Sequence, residues 1–215
     1  MSSGYVPSGS EVSAYLKDPS GKYYFLFVVY ENTSDGWKII ANKAGTEPKV
    51  VLPDKSGKSY VLVIYAVEQE SCKIIDHALS VVVTVGKNFK AEMRLDKEKY
   101  HVGENAKLTV INKGDVPIVL GLPYGLYRYE DGSWRRVPLG LVFTMQAFII
   151  MPGESWSQNI RLVKAKESAT SSIIGDPANL EPLPPGRYKL VKDVWPEPGG
   201  IEKREYLEVE FEVID

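Results

Sequence analysis

Cysteine is all but absent from this 215-residue chain, in which Cys72 stands alone. No intrachain disulfide can form, so cysteine usage does not fix the compartment. Histidine is almost as scarce, with His77 and His101 one in each half. A zinc site would have to combine Cys72, His77 and two carboxylates, and no Asp-x-Asp-x-Asp-Gly calcium loop occurs. Cys72, beside a strand end, is expected to be a small buried hydrophobe instead. No metal and no cofactor is expected.

An excess of charge of one sign is also missing. The formal net charge is −2, and Arg135-Arg136 and Lys203-Arg204 are isolated pairs that read as solvated strand ends. Nucleic-acid binding needs a basic face, and none is written here. No apolar run reaches the ~18 residues of a membrane helix. Met1 to Ser10 is rich in Ser and Gly, with neither a charged n-region nor an apolar h-region, and does not read as a signal peptide. The chain is therefore either cytoplasmic or begins after a removed signal.

Catalytic signatures are missing as well. There is no Gly-x-Ser-x-Gly elbow and no Gly-rich phosphate loop. No pattern sets a Ser or Cys nucleophile beside a His base. Glu208, Glu210 and Glu212 fall on one side of a strand and read as a solvated face, not as paired carboxylates. The chain is expected not to be an enzyme. Asn32-Thr33-Ser34 matches a glycosylation acceptor, a three-residue pattern that chance supplies.

What is present is β structure. Hydrophobic residues make up 44%, enough for sizeable cores, and thirteen Tyr, four Trp and six Phe favour strands. Short apolar runs alternate with turn residues every 8–12 residues or so, as in β-sandwiches. No window of a dozen residues carries a helical stripe; the nearest, Leu162 to Ala169, is short and uncapped. Strands are expected near 12–17, 23–30, 37–42, 50–52, 60–68 and 78–85. In the second half they are expected near 91–95, 106–112, 116–122, 126–130, 134–137, 143–150, 155–162, 187–193 and 205–213. Tyr23-Tyr-Phe-Leu-Phe-Val-Val-Tyr30 is apolar on both faces and suits a central strand. In the last strand Leu207, Val209, Phe211 and Val213 alternate with the three glutamates, which sends the first set to a core.

The length suits two domains of about 100 residues. Residues 1–10 read as a flexible tail, 11–87 as one domain and 88–215 as a second. The fold class is all-β: two tandem immunoglobulin-like β-sandwiches. A local signal repeats in both halves. Leu52-Pro-Asp-Lys-Ser-Gly-Lys-Ser-Tyr60 and Leu183-Pro-Pro-Gly-Arg-Tyr188 each run Leu-Pro, turn, Gly, Tyr, strand. Tyrosines so placed in immunoglobulin-like sandwiches bond by their hydroxyl to the preceding corner, so Tyr60 and Tyr188 are assigned that structural role.

The second half resembles a bacterial immunoglobulin-like family. The matching stretches are Leu95-Asp-Lys-Glu-Lys-Tyr-His-Val-Gly103, Leu108-Thr-Val-Ile-Asn-Lys-Gly114, Tyr124 to Trp134, Leu183 to Lys192 and Tyr206 to Val213. The same region is similar, more loosely, to the intracellular proteinase-inhibitor domain of bacilli. The first half resembles the triple-tyrosine domain that follows sensor propellers. Its carriers are Tyr23-Tyr-Phe25, Trp37-Lys-Ile-Ile40, Tyr60 to Tyr65 and Asp76-His-Ala-Leu-Ser80, where an aromatic after the Asp is replaced by His77. These resemblances bring no catalytic residues. They imply an extracytoplasmic setting and a binding or structural role, with a protein or glycan partner at the cell surface.

The candidate binding surface is the longest stretch between expected strands, Val163 to Pro182. It holds Ser168, Thr170, Ser171, Asp176 and Asn179. Trp195, in Val194-Trp-Pro-Glu-Pro-Gly-Gly200, is the most loop-like of the four Trp and the candidate anchor; Trp37, Trp134 and Trp156 lie in expected strands, where core or cross-strand packing is expected. The two loops flank the strand starting at Arg187, so a joint surface requires the long one to fold back. The alternatives are a proteinase inhibitor that presents this loop, or an accessory carbohydrate-binding module. With no ligand cluster to couple metal to folding, dialysis against a chelator is expected to leave the melting temperature unchanged, and calorimetry before and after checks this.

Overall fold

The computed structural model describes residues 4–14, 21–166 and 176–215. The chain divides into two compact units, Met1–Asn88 and Phe89–Asp215.

The first unit contains β1 (Tyr5–Pro7), β2 (Glu11–Ser13), β3 (Tyr23–Thr33), β4 (Gly36–Gly45), β5 (Lys49–Val51), β6 (Ser59–Glu68) and β7 (Ile74–Val85). Five of them form one sheet in the order β1-β7-β6-β3-β4, and β2 pairs with β5 as a ribbon. The ribbon lies over one face of the sheet. Val12, Val50 and Leu52 pack there against Phe27, Val29, Tyr60 and Val82. β3 is central, as its apolar sequence suggests, lying between β6 and β4.

The register fixes what the opposite face carries, because side chains alternate along each strand. One row across the sheet reads Leu79, Val63, Val28, Asn42; the next Val81, Val61, Tyr30, Ile39; a third His77, Tyr65, Leu26, Ala44.

Several expectations change here. The stretch read as a tail contains β1, which pairs in parallel with Val83–Val85 of β7, and Ser8 donates its N–H to Val85 O. A three-residue strand is too short to show a period. Cys72 is exposed in the β6–β7 turn at a φ of 55°, not buried. Trp37 lies in a strand but on the open face, and is not packed in a core. The first expected strand is seen as Glu11–Ser13; residues 15–17 lie outside the described residues.

The second unit contains β8 (Ala91–Leu95), β9 (Lys99–His101), β10 (Asn105–Asn112), β11 (Ile118–Gly121), β12 (Gly125–Glu130), β13 (Ser133–Arg136), β14 (Ala147–Ile150), β15 (Ser155–Arg161), β16 (Val163–Ala165), β17 (Leu180–Pro182), β18 (Gly186–Pro196) and β19 (Glu205–Ile214). A three-stranded sheet, β15-β10-β8, packs on a larger one built around β18. Leu108 and Ile160 of the first meet Leu126, Leu190 and Phe211 of the second in the core. β19 keeps its alternation, with Phe211 and Val213 buried and Glu208, Glu210 and Glu212 outside.

After β8 the chain leaves one sheet and joins the other, where β9 pairs in parallel with Glu212–Ile214. A carboxylate fixes this crossing. Asp96 Oδ1 accepts from the Tyr100 hydroxyl and from Lys107 N, each at 2.7 Å, and the Tyr100 oxygen accepts from Lys97 N. Burial works to raise the Asp96 pKa, but these hydrogen bonds outweigh it and hold the carboxyl below its ordinary value.

The two corner tyrosines differ. Tyr188 is fully buried, donates its hydroxyl to Pro184 O at 2.7 Å and stacks on Phe211. Tyr60 is as deeply buried, yet its hydroxyl has no hydrogen-bond partner among the described residues. The corner bond assigned to Tyr60 is therefore not formed: the turn from Pro53 to Lys58 engages Thr84 Oγ1 instead. Replacing Tyr188 by Phe is expected to lower stability by roughly 1–2 kcal/mol in urea denaturation. Tyr60→Phe removes an unsatisfied buried hydroxyl and is expected to leave stability unchanged or raise it. Equal losses in the two variants would contradict this contrast.

Candidate functional site

β11 and β12 run in one line along β18, both antiparallel to it, but with an interruption between them. Val119 is opposite Trp195 and Gly125 is opposite Val191. Between these pairs one side supplies five residues, 120–124, and β18 three, 192–194. The two-residue excess is a bulge, and Pro123, with no N–H to give a ladder, suits it.

A bulge turns backbone carbonyls out of the ladder, and buried carbonyls need donors. Lys192 provides them. Tyr188, Leu190, Lys192 and Val194 are the inward residues of β18, and all four are buried. The Lys192 ammonium donates to Gly121 O at 2.5 Å, Pro123 O at 2.9 Å and Gln158 Oε1 at 3.4 Å, and lies 5.1 Å from the centre of the Trp156 ring. Gln158 Nε2 donates to Leu122 O, so three successive carbonyls of the bulge are satisfied. Burial pushes the Lys192 pKa down to about 8, against the opposing pull of Asp193.

The outward residues Asp193 and Trp195 border a pocket of about 510 Å³ over the same bulge. Its walls are Pro123, Phe143, Met145, Trp195 and Ile201. Phe143 is fixed edge-on against Tyr124 at 5.1 Å, while Met145 is fully exposed. Asp193 is the one ionisable group among the lining residues, and Arg204 holds it at 3.6 Å. An apolar pocket with a single neutralised acid suits binding; no nucleophile stands beside a base in it. Among the described residues no group of three His, Cys, Asp or Glu side chains could hold a metal, and no helix is long and apolar enough to cross a membrane.

The expected site residues are distributed differently. Trp195 is not on a loop: it is the next-to-last residue of β18, half-buried, in the pocket wall. Asp176 caps a short 3-10 turn, Pro177–Asn179, by accepting from Ala178 N, and Asn179 O accepts from Lys166 N. Ser168, Thr170 and Ser171 lie outside the described residues. The long connection is not structureless, because β16 and β17 pair at its base and Lys164 meets Glu181. Val163–Ala165 is thus a strand, where the sequence offered a weak helix. The ribbon is tied to Pro138 and lies at the start of β18, whereas Trp195 is nine residues further on, about 30 Å along a strand. The described residues do not bring the loop and Trp195 together.

Reading the sequence missed Lys192, Phe143 and Met145. Lys192 had a signal: it falls in the inward phase of a strand whose neighbours at ±2 are Leu190 and Val194. Phe143 and Met145 were expected inside a strand over 143–150, but the strand begins at Ala147, and the residues before it leave the sheet and line the pocket instead.

Residues 87–212, which contain this pocket, match the family model of the bacterial Ig-like domain. The chain belongs to the bacterial Ig-like domain family. The match covers the second unit and leaves the first unassigned. A search of curated proteins finds no match. Among solved structures, the native conformation of E. coli alpha-2-macroglobulin aligns at 11% identity, with a TM-score of 0.34, over 98% of this chain and 16% of that one.

The buried ammonium in the Ig-like domain gives a pH signature. A lysine whose pKa falls on folding opposes folding while both states hold the proton. That opposition is complete below about pH 8 and fades as pH rises toward 10.5, where the unfolded chain still binds the proton the folded chain has released. Stability should therefore climb between pH 8 and 10 by on the order of 2 kcal/mol. Above 10 it should fall, because burial pushes the Tyr124 hydroxyl up to about 12 while the unfolded tyrosine ionises. Denaturant titrations across this range are expected to show the climb in the wild type and not in Lys192→Met. A climb that survives the substitution would assign it to another group.

Proposed function

We propose that this chain is a non-enzymatic, extracytoplasmic binding module of a cell-surface or envelope assembly, in which the Trp195 pocket receives an apolar or aromatic side chain of a protein partner. The carrying observation is the pocket itself: Trp195, Phe143, Met145 and Ile201 around an apolar volume with room for a large side chain and part of its neighbour. Aromatic residues and Met are enriched in the centres of protein interfaces, and an exposed Met adapts its shape to what it meets. The extracytoplasmic setting rests on family membership. In the same reading, the first unit is a second immunoglobulin-like sandwich, of the triple-tyrosine type.

A glycan partner fits less well. Sugar platforms need aromatic faces in a row with free polar groups beside them. Trp134 is packed against Tyr129 and lies under Arg187 and Lys189, Trp156 packs on Phe148 and Lys192, and Asp193 is already paired. The proteinase-inhibitor reading draws on the β16–β17 ribbon, which gives residues 163–182 a braced base; an inhibition screen against serine proteases tests it separately.

In the native host, a photo-crosslinking residue in place of Met145 is expected to give a discrete protein adduct in the envelope fraction. Trp195→Ala in the same chain is expected to abolish it. An adduct indifferent to Trp195→Ala, or one found only in the cytoplasm, would overturn the corresponding part of the proposal.

A further inference from the structure

Among the described residues of the first unit, the sheet has one face covered by the ribbon and one face with no element over it. On the covered side the ribbon of β2 and β5 seals the core. On the other side the three rows described above, twelve residues across β7, β6, β3 and β4, contain no Asp, Glu, Lys or Arg. The outer strands carry the exposed apolar groups, among them Leu79 at 66% exposure, Trp37 at 54%, Val81 at 53% and Ile39 at 52%, while Val28 and Val63 between them are buried by their neighbours on the sheet. Isolated apolar residues on a surface need no explanation, but a contiguous patch of this kind marks an interaction site.

The chemistry of the face selects its occupant. A heterologous partner chosen by charge would be met by complementary charges, and the rows offer none. A face without formal charge can meet its own copy with no like-charge repulsion, and an isologous contact requires only that one patch fit itself. Sheets stack face to face across about 10 Å through apolar side chains of this sort. The area is sufficient too. The alternation carries the uncharged face on to the strand ends, through Val83, Ser59, Asn32 and Trp37 at one end and Ile74, Val67 and Tyr24 at the other, and the four long strands have 11, 10, 10 and 12 residues. At ~4.8 Å between strands and ~3.4 Å per residue they give a flat footprint of roughly 650 Å². That footprint approaches the ~800 Å² per partner of a stable interface.

We propose that the open face of the β7-β6-β3-β4 sheet is a homodimer interface, against which a second copy of this chain packs the same face. It is distinct from the Trp195 pocket and does not depend on the function assigned to it.

Light scattering coupled to size exclusion on the full chain is expected to give a concentration-dependent mass approaching twice 24.0 kDa. Leu79→Glu and Trp37→Glu place a charge on opposite margins of the face at exposed positions. Each is expected to weaken dimerisation at least about tenfold while the circular dichroism spectrum is retained. Should either variant fail to fold, spin labels on Leu79→Cys in a Cys72→Ser background provide the readout, with an inter-chain distance within about 30 Å expected for stacked sheets. A wild-type chain that stays monomeric to about 100 μM overturns the proposal, as does a dimer whose affinity neither charge changes. A monomer that binds phosphatidylcholine vesicles through Leu79 and Trp37 also overturns it, and assigns the face to lipid.

Discussion

One ammonium group holds the second unit in the form it has. The strand that β11 and β12 share takes in two residues more than β18 can pair, and the surplus leaves Gly121, Leu122 and Pro123 with carbonyls turned from the ladder. In an apolar core such carbonyls are each unfavourable by a few kcal/mol unless met. Lys192, with Gln158 beside it, meets all three. The bulge, the loop that crosses it and the pocket above it exist on this condition. A desolvated lysine is itself unfavourable, and here three acceptors and the face of Trp156 offset part of that penalty, the remainder showing as the lowered Lys192 pKa.

The same economy of polar groups distinguishes the other fixed points of the fold. Asp96 holds the crossing from one sheet to the other through two hydrogen bonds, and Tyr188 holds its corner through one. Asn112, fully buried, donates its amide to Val116 O and Ile150 O and accepts from Gly114 N, which closes the turn before β11. Asn112 and Lys192, the buried polar side chains among the described residues of this unit, both sit where the backbone departs from regular pairing. The first unit is built more simply, from one twisted sheet and a ribbon, and its Tyr60 hydroxyl is left without such a bond among the described residues.

Strand positions were legible because burial on one side imposes a period of two, and β8, β12 and β19 fall within a residue or so of their expected places. Pairing in parallel was not legible. β1 and β9 are three residues each, below the length at which alternation can be recognised, and their partners are far along the chain. The apolar character of Tyr23–Tyr30 on both faces was read correctly as central, yet it does not say that both faces are covered, since an open face and a buried one share the same composition. For the site, Trp195 could be singled out by type, but its pocket depends on Phe143 and Met145, which were expected within a strand and lie ahead of its actual start at Ala147. The Ser/Thr-rich part of the long loop, the strongest compositional signal, lies outside the described residues.

The interrupted strand has an effect at the margin of the larger sheet. Because β11 and β12 are out of step, the strands beyond them are split as well: among the described residues β14 pairs only with β11 and β13 only with β12, four residues each. Neither offers more than about 13 Å of unpaired backbone. A foreign strand seeking a long, flat template finds two short ones set apart, the kind of broken border by which β proteins resist edge-to-edge aggregation. The two residues that create the pocket thus also guard the sheet against uncontrolled growth.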